Sequence, residues 1–247
     1  MTAPLLDLSQ PTSWPTELRQ VIDELRPVFI AWEKDLPGKS AALFDVAMKQ
    51  LGNALRPFSI RGFHFTRLTN DEATEIRRGG LKVLTPELIE HRITNQVNRA
   101  SLTSEQAAQL LKTNQARDAN RGGMTWFCFY PPVEAFESGV RPLLENWGGE
   151  ALYNSNTSDP ALGPLLRSIG RPALVQALVP TAYLSSTIKL ATEAYRADLI
   201  DQGFEIDDAP SRFEDYSRFD LEPSRIERVL LHPDADFIRL TGSSRWM

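Results

Sequence analysis

One cysteine, Cys128, occurs in the 247 residues. A single thiol can form no internal disulfide and no cysteine-rich zinc site, which fits a reducing compartment. The three histidines are His64, His91 and His232. No two of them stand three or four places apart, so none form a helical metal-binding pair, and no metal is expected. No apolar run approaches the roughly 20 residues that span a bilayer. The first residues lack the basic stretch followed by an apolar one that marks a signal peptide. The expectation is therefore a cytoplasmic chain with no membrane partner. The sequence also lacks GxGxxG, the Walker A lysine motif, HExxH and GxSxG, which removes weight from the commonest nucleotide and hydrolase folds. There is no internal repeat and no low-complexity tract.

The composition is that of a folded chain, with 42% hydrophobic and 24% charged residues. Its length suits one large domain with a helical extension. A net charge of −5 argues against general affinity for nucleic acid, although a local basic groove remains compatible with it. The charge is uneven: residues 61–121 carry ten Lys/Arg against seven Asp/Glu, while residues 198–215 carry seven acids against Arg212 alone. The acidic segment reads as a solvated loop over Glu205 to Asp215, or as a screen beside a cleft.

Residues 1–15 read as a loose arm. Thr16 can cap a helix with Leu18, Val21, Ile22, Leu25, Phe29 and Trp32 at helical spacing, and Pro27 should kink or divide it. Leu43, Phe44, Ala47, Met48, Leu51 and Leu55 mark a second helix, so residues 1–58 form an expected helical hairpin. A strand follows from Ile60 to Leu68. A short helix comes next, capped by Thr69 or Asn70 and ended by Gly79-Gly80. Thr85-Pro86 and the Thr103–Gln106 capping box open two further helices. Strands are expected at Met124–Tyr130, around Tyr153, at Pro172–Pro180, at Ile226–Leu231 and at Ala235–Leu240, and a helix at Ile188–Ile200. Cys128, inside the run Trp126 to Tyr130, reads as inert core. Helices dominate the first half and strands the second without regular alternation. This favours an α+β fold, a helical hairpin packed on a bent, split, mixed sheet, over a doubly wound one.

The stretch Gly62-Phe63-His64-Phe65-Thr66-Arg67-Leu68 sets an imidazole and a guanidinium into an aromatic strand. Strict alternation puts His64 and Thr66 on one face and Phe63, Phe65 and Arg67 on the other. His64 is either a hydrogen-bonded histidine at a core edge or a ring whose nitrogens bond a ribose or phosphate, with Thr66 beside it. Phe63-His64-Phe65-Thr66-Arg67, the short helix carrying Ile76, and Gly80-Leu81 together resemble the first motif of ADP-ribosyltransferase-like folds, as found in DNA-targeting toxins and RNA 2′-phosphotransferases. The later Pro223-Ser224-Arg225-Ile226-Glu227-Arg228-Val229 is compatible with the same order.

The resemblance implies a domain over residues 59–247 that binds NAD as co-substrate and passes ADP-ribose to a macromolecular acceptor, protein or nucleic acid, in a toxin, defence or counter-defence setting. Carried over, it implies His64 as the ribose-orienting residue, with Thr66 and Arg67 beside it and Arg67 on the pyrophosphate. Tyr153 would be the aromatic that stacks on nicotinamide, and Trp147 its substitute. Gly149 and Glu150 would line the cofactor, and Glu150 could instead be the carboxylate. Glu214, or else Glu227, would supply the carboxylate that stabilises the oxocarbenium-like cation. No Glu-x-Glu or Gln-x-Glu occurs, which disfavours the arginine-modifying branch. The alternative is a non-catalytic immunity or adaptor protein that uses the same cleft for a protein partner.

Overall fold

A computed structural model describes residues 4–135, 139–207 and 213–242. In chain order the elements are β1 (Leu5–Leu6), α1 (Thr16–Glu33), α2 (Ala41–Leu55), β2 (Ser59–Leu68), α3 (Asn70–Gly79), α4 (Pro86–Asn98), α5 (Ser104–Thr113) and β3 (Thr125–Cys128). They continue with α6 (Pro132–Ala135), α7 (Arg141–Glu145), α8 (Glu150–Asn156), α9 (Leu162–Ser168), β4 (Arg171–Pro180), α10 (Thr187–Asp201), β5 (Glu214–Ser217), β6 (Ile226–Leu231) and α11 (Ala235–Thr241). The fold is α+β. The strands form one open sheet in the order β5-β3-β2-β4-β6, with β1 added to β2. The sheet is mixed: β1 runs parallel to β2, whereas β2–β3 and β4–β6 are antiparallel. Among the described residues, no helix is long and apolar enough to cross a membrane.

The chain divides into two compact units, residues 1–61 with 178–215, and residues 62–177 with 216–247. The unit with α1 and α2 also takes in α10, a later helix that packs against both. Inside it Phe29 stacks on Tyr195 with ring centroids 4.4 Å apart, and Trp32 stacks on Phe44 at 4.2 Å. The N-terminal arm is not loose: Leu6 and Trp14 are buried, and Leu5 and Leu6 pair with Ser59 and Ile60. Helix α1 runs through Pro27 without a break.

The second unit has two cores. One joins α4, α5, α8 and α9 around Ile89, Ile93, Leu110, Trp147 and Leu166. The other lies under the sheet around Phe65, Cys128, Leu174, Leu230 and Phe237. Capping boxes at Thr69–Glu72 and Thr103–Gln106 start α3 and α5, and Pro86 occupies the first turn of α4 behind Thr85. Two expected strands are helices. Ala235–Leu240 lies within α11, where the Asp234 carboxylate caps the N–H groups of Asp236 and Phe237. Tyr153 lies within α8. Both are short apolar runs, for which length and alternation do not separate strand from helix. Of the acidic segment, residues 208–212 lie outside the described residues, and Glu214 and Asp215 begin β5.

Candidate functional site

Strand β2 carries His64 between two faces of different character. Its register to β3 pairs Phe63 with Cys128. Alternation from that pair puts His64 and Phe127 on one face, and their rings stand 6.1 Å apart. His64 Nδ1 lies 3.0 Å from the Trp126 carbonyl oxygen. A carbonyl only accepts, so Nδ1 carries the proton and donates, and Nε2 of the neutral ring is left as an acceptor. The side chain is half-buried. Desolvation lowers its pKa from the ordinary value, the Trp126 carbonyl opposes this, and the positive charge of Arg92 adds to the lowering. Thr66 shares the His64 face and is buried.

Arg67 points to the opposite face, as alternation requires. Its Nε donates to the Ile169 carbonyl at 2.7 Å, Nη1 to that of Leu144 at 3.3 Å and Nη2 to that of Gly170 at 2.9 Å. This guanidinium ties the loop after α9 and the end of α7 to the strand, where the family resemblance implied a pyrophosphate contact.

Trp147 is fully buried, and the Arg92 guanidinium lies 5.0 Å from its ring centroid. Its ring is therefore not open for stacking on a ligand. Instead its Nε1 donates to both oxygens of Glu72, at 3.0 and 3.1 Å. The same carboxylate accepts the Thr69 N–H at 2.7 Å and Arg92 Nε at 2.7 Å, while Arg92 Nη2 reaches the Arg67 carbonyl on β2 at 3.4 Å. Burial alone would push the Glu72 carboxyl up. The charge and hydrogen bond of Arg92, with the N–H groups of Thr69 and Trp147, outweigh it, so the group titrates below its ordinary value.

After Trp147 the chain turns through Gly148 and Gly149, both at positive φ (87° and 61°). A Cβ on Gly148 would meet Leu152 Cδ1 at 2.3 Å, whereas one on Gly149 would meet nothing within 4 Å. The turn delivers Glu150 and Tyr153 one helical turn apart on α8, so that the phenol donates to the carboxylate. Burial first, then the Glu150 charge and this hydrogen bond, pushes the Tyr153 hydroxyl up to about 12, so it stays a donor. Arg121 Nε lies 3.7 Å from Glu150 Oε2 and is buried without a hydrogen bond, while its Nη1 is held by Asp118 at 2.7 Å. Glu150, Tyr153 and Arg121 thus form a polar cluster beside the Gly148–Gly149 turn.

The other two expected carboxylates stand on later strands. Glu227 is exposed on β6 and accepts from Gln176 Nε2 at 2.8 Å. Glu214 is exposed at the start of β5, in the other compact unit. Sequence reading missed Glu72, Arg92 and Arg121. Glu72 had a visible signal, since Thr69-Asn70-Asp71-Glu72 has the spacing of a capping box. Arg92 and Arg121 had none, because their partners are distant in sequence or in irregular loops. Comparison with family models, curated proteins and solved structures returns no match for the chain.

Proposed function

We propose that the unit formed by residues 62–177 and 216–247 binds NAD and transfers its ADP-ribose to a macromolecular acceptor. The observation that carries this reading is the state of His64. Its proton is committed to the Trp126 carbonyl, and its Nε2 is an unprotonated acceptor, which suits a ribose hydroxyl. The cluster beside the Gly148–Gly149 turn supports it as well. Glu150 offers a carboxylate, held by Tyr153 and Arg121, to stabilise the cation left when the bond from ribose C1 to nicotinamide breaks. The acceptor's nucleophilic atom then bonds to C1 and gives up its proton to solvent or a base, and nicotinamide leaves neutral. In this reading Glu150, rather than Glu214 or Glu227, takes the carboxylate role.

Binding of NAD should raise the melting temperature of the purified protein, and His64→Ala should abolish the shift. Absence of any shift at saturating NAD, with no nicotinamide released in the presence of protein or nucleic-acid acceptors, would overturn the reading. The alternative, a non-catalytic immunity or adaptor protein, is favoured by one observation: the carboxylate of Glu227 on the late motif is engaged by Gln176. Native mass spectrometry that finds a stoichiometric protein partner, together with no NAD turnover, would select it.

A further inference from the structure

We propose that Glu72 and Arg92 are positioning residues for the NAD site, a bracket that fixes the His64 strand and the Gly148–Gly149 turn to one another. This rests on the function proposed above. The bracket is built from three directions. Arg92 comes from α4, with its side chain 14% exposed, and Glu72 from the first turn of α3, 8% exposed. Arg92 Nε is spent on Glu72 and Nη2 on the carbonyl of Arg67, three residues along β2 from His64. Glu72 in turn receives Trp147 Nε1, and Trp147 is the residue immediately before the two glycines. A planar guanidinium can serve a carboxylate and a carbonyl in fixed directions at once, and a lysine ammonium cannot. Each of the two oxygens of Glu72 is used more than once, so the carboxylate has no slack to exchange partners.

A buried ion pair of this kind is weak evidence for net stability. Its placement, with one end on the strand and the other on the turn, is what distinguishes it. Of the charged side chains, Arg92 on α4 acts on His64, while Arg67 on β2 itself is turned to the other face and bound to three carbonyls. Removing Arg92 therefore takes a cation away from the imidazole and frees the strand from the turn. Replacing Arg92 by Lys keeps the cation and loses only the two-directional geometry.

The test follows the ring resonances of His64 by NMR across a pH series, together with NAD affinity by calorimetry, in the full chain and in Arg92→Gln and Arg92→Lys. Arg92→Gln should raise the His64 titration midpoint, because it removes a positive charge that disfavours the imidazolium. Arg92→Lys should leave the midpoint close to wild type but weaken NAD binding about tenfold or more, because a small misplacement of a binding group is costly. If Arg92→Gln does not fold, Glu72→Gln replaces it. That variant keeps an acceptor for Trp147 and Thr69 while removing the charge that holds Arg92, and it should weaken NAD binding about tenfold or more. An unchanged His64 midpoint in Arg92→Gln, or unchanged NAD affinity in Arg92→Lys or Glu72→Gln with only the melting temperature reduced, would make the pair a plain structural ion pair and overturn the proposal. Because the His64 titration needs no nucleotide, failure of wild-type protein to bind NAD counts against the proposed function alone.

Discussion

Two arginine–carboxylate pairs of similar make sit in the two compact units, and they differ in what they hold. In the helical unit Arg26 grips Asp198 bidentately, with Nε and Nη2 at 2.8 and 2.9 Å from the two carboxylate oxygens, and also reaches Asp23 at 2.5 Å. This pair joins α1 to α10 beside an open polar cleft of about 380 Å³ that Arg19 and Asp201 also line. It has a spare partner and joins helix to helix. In the other unit Arg92 has Glu72 as its only carboxylate partner among the described ion pairs, and that carboxylate also holds a helix N-terminus and the Trp147 indole. The same chemistry serves as a clamp with redundancy in one unit and as a bracket without it in the other.

The largest way to break the comparison is to remove each carboxylate. Glu72→Ala strands a buried guanidinium, an indole N–H and a backbone N–H, and should cost about 3–5 kcal/mol of unfolding free energy. Asp198→Ala leaves Arg26 with Asp23, and should cost about 1–3 kcal/mol. Chemical denaturation of the two variants side by side measures the gap, and equal losses would erase the distinction. Next in size are the two glycines of the turn. Gly148→Ala adds a clash with Leu152 to a left-handed backbone and should cost about 2 kcal/mol or more, while Gly149→Ala, with open space, should cost only about 1 kcal/mol. A greater loss at Gly149 would show that the turn is not packed as described.

The smallest effect is in pH dependence. His64 titrates below its ordinary value in the folded chain, so the unfolded state binds more protons between that lowered midpoint and about 6.5. Stability should therefore rise with pH across this window, and replacing His64 by Gln should flatten the rise. Glu72 acts in a more acidic window. Its contribution is present above the ordinary carboxylate value and is lost as pH falls from there through its depressed midpoint, so the Glu72→Gln variant should lose less stability in acid than the wild type.

Much of the local structure was legible because local chemistry decides it. The caps at Thr69, Thr85 and Thr103 and the alternation of β2, with Arg67 opposite His64, follow from short-range rules. The failures also have physical causes. Pro27 tolerates a continuous helix here, and the run from Ala235 to Leu240 is too short for its period to separate strand from helix. Of the candidate residues, His64, Glu150 and Tyr153 could be named from sequence. The sequence could not show that Trp147 is spent on Glu72, or that Arg67 is spent on three carbonyls. Those partners stand between 75 and 103 positions away, and nothing in a single chain's local pattern reports such pairings.

The most direct measurement is a calorimetric titration of NAD into wild-type protein, His64→Ala and Glu150→Gln, with unfolding midpoints recorded for each. Saturable binding in the wild type, lost in His64→Ala and weakened in Glu150→Gln while both variants remain folded, is the predicted result. No NAD binding by the wild type, or binding indifferent to both substitutions, would contradict it.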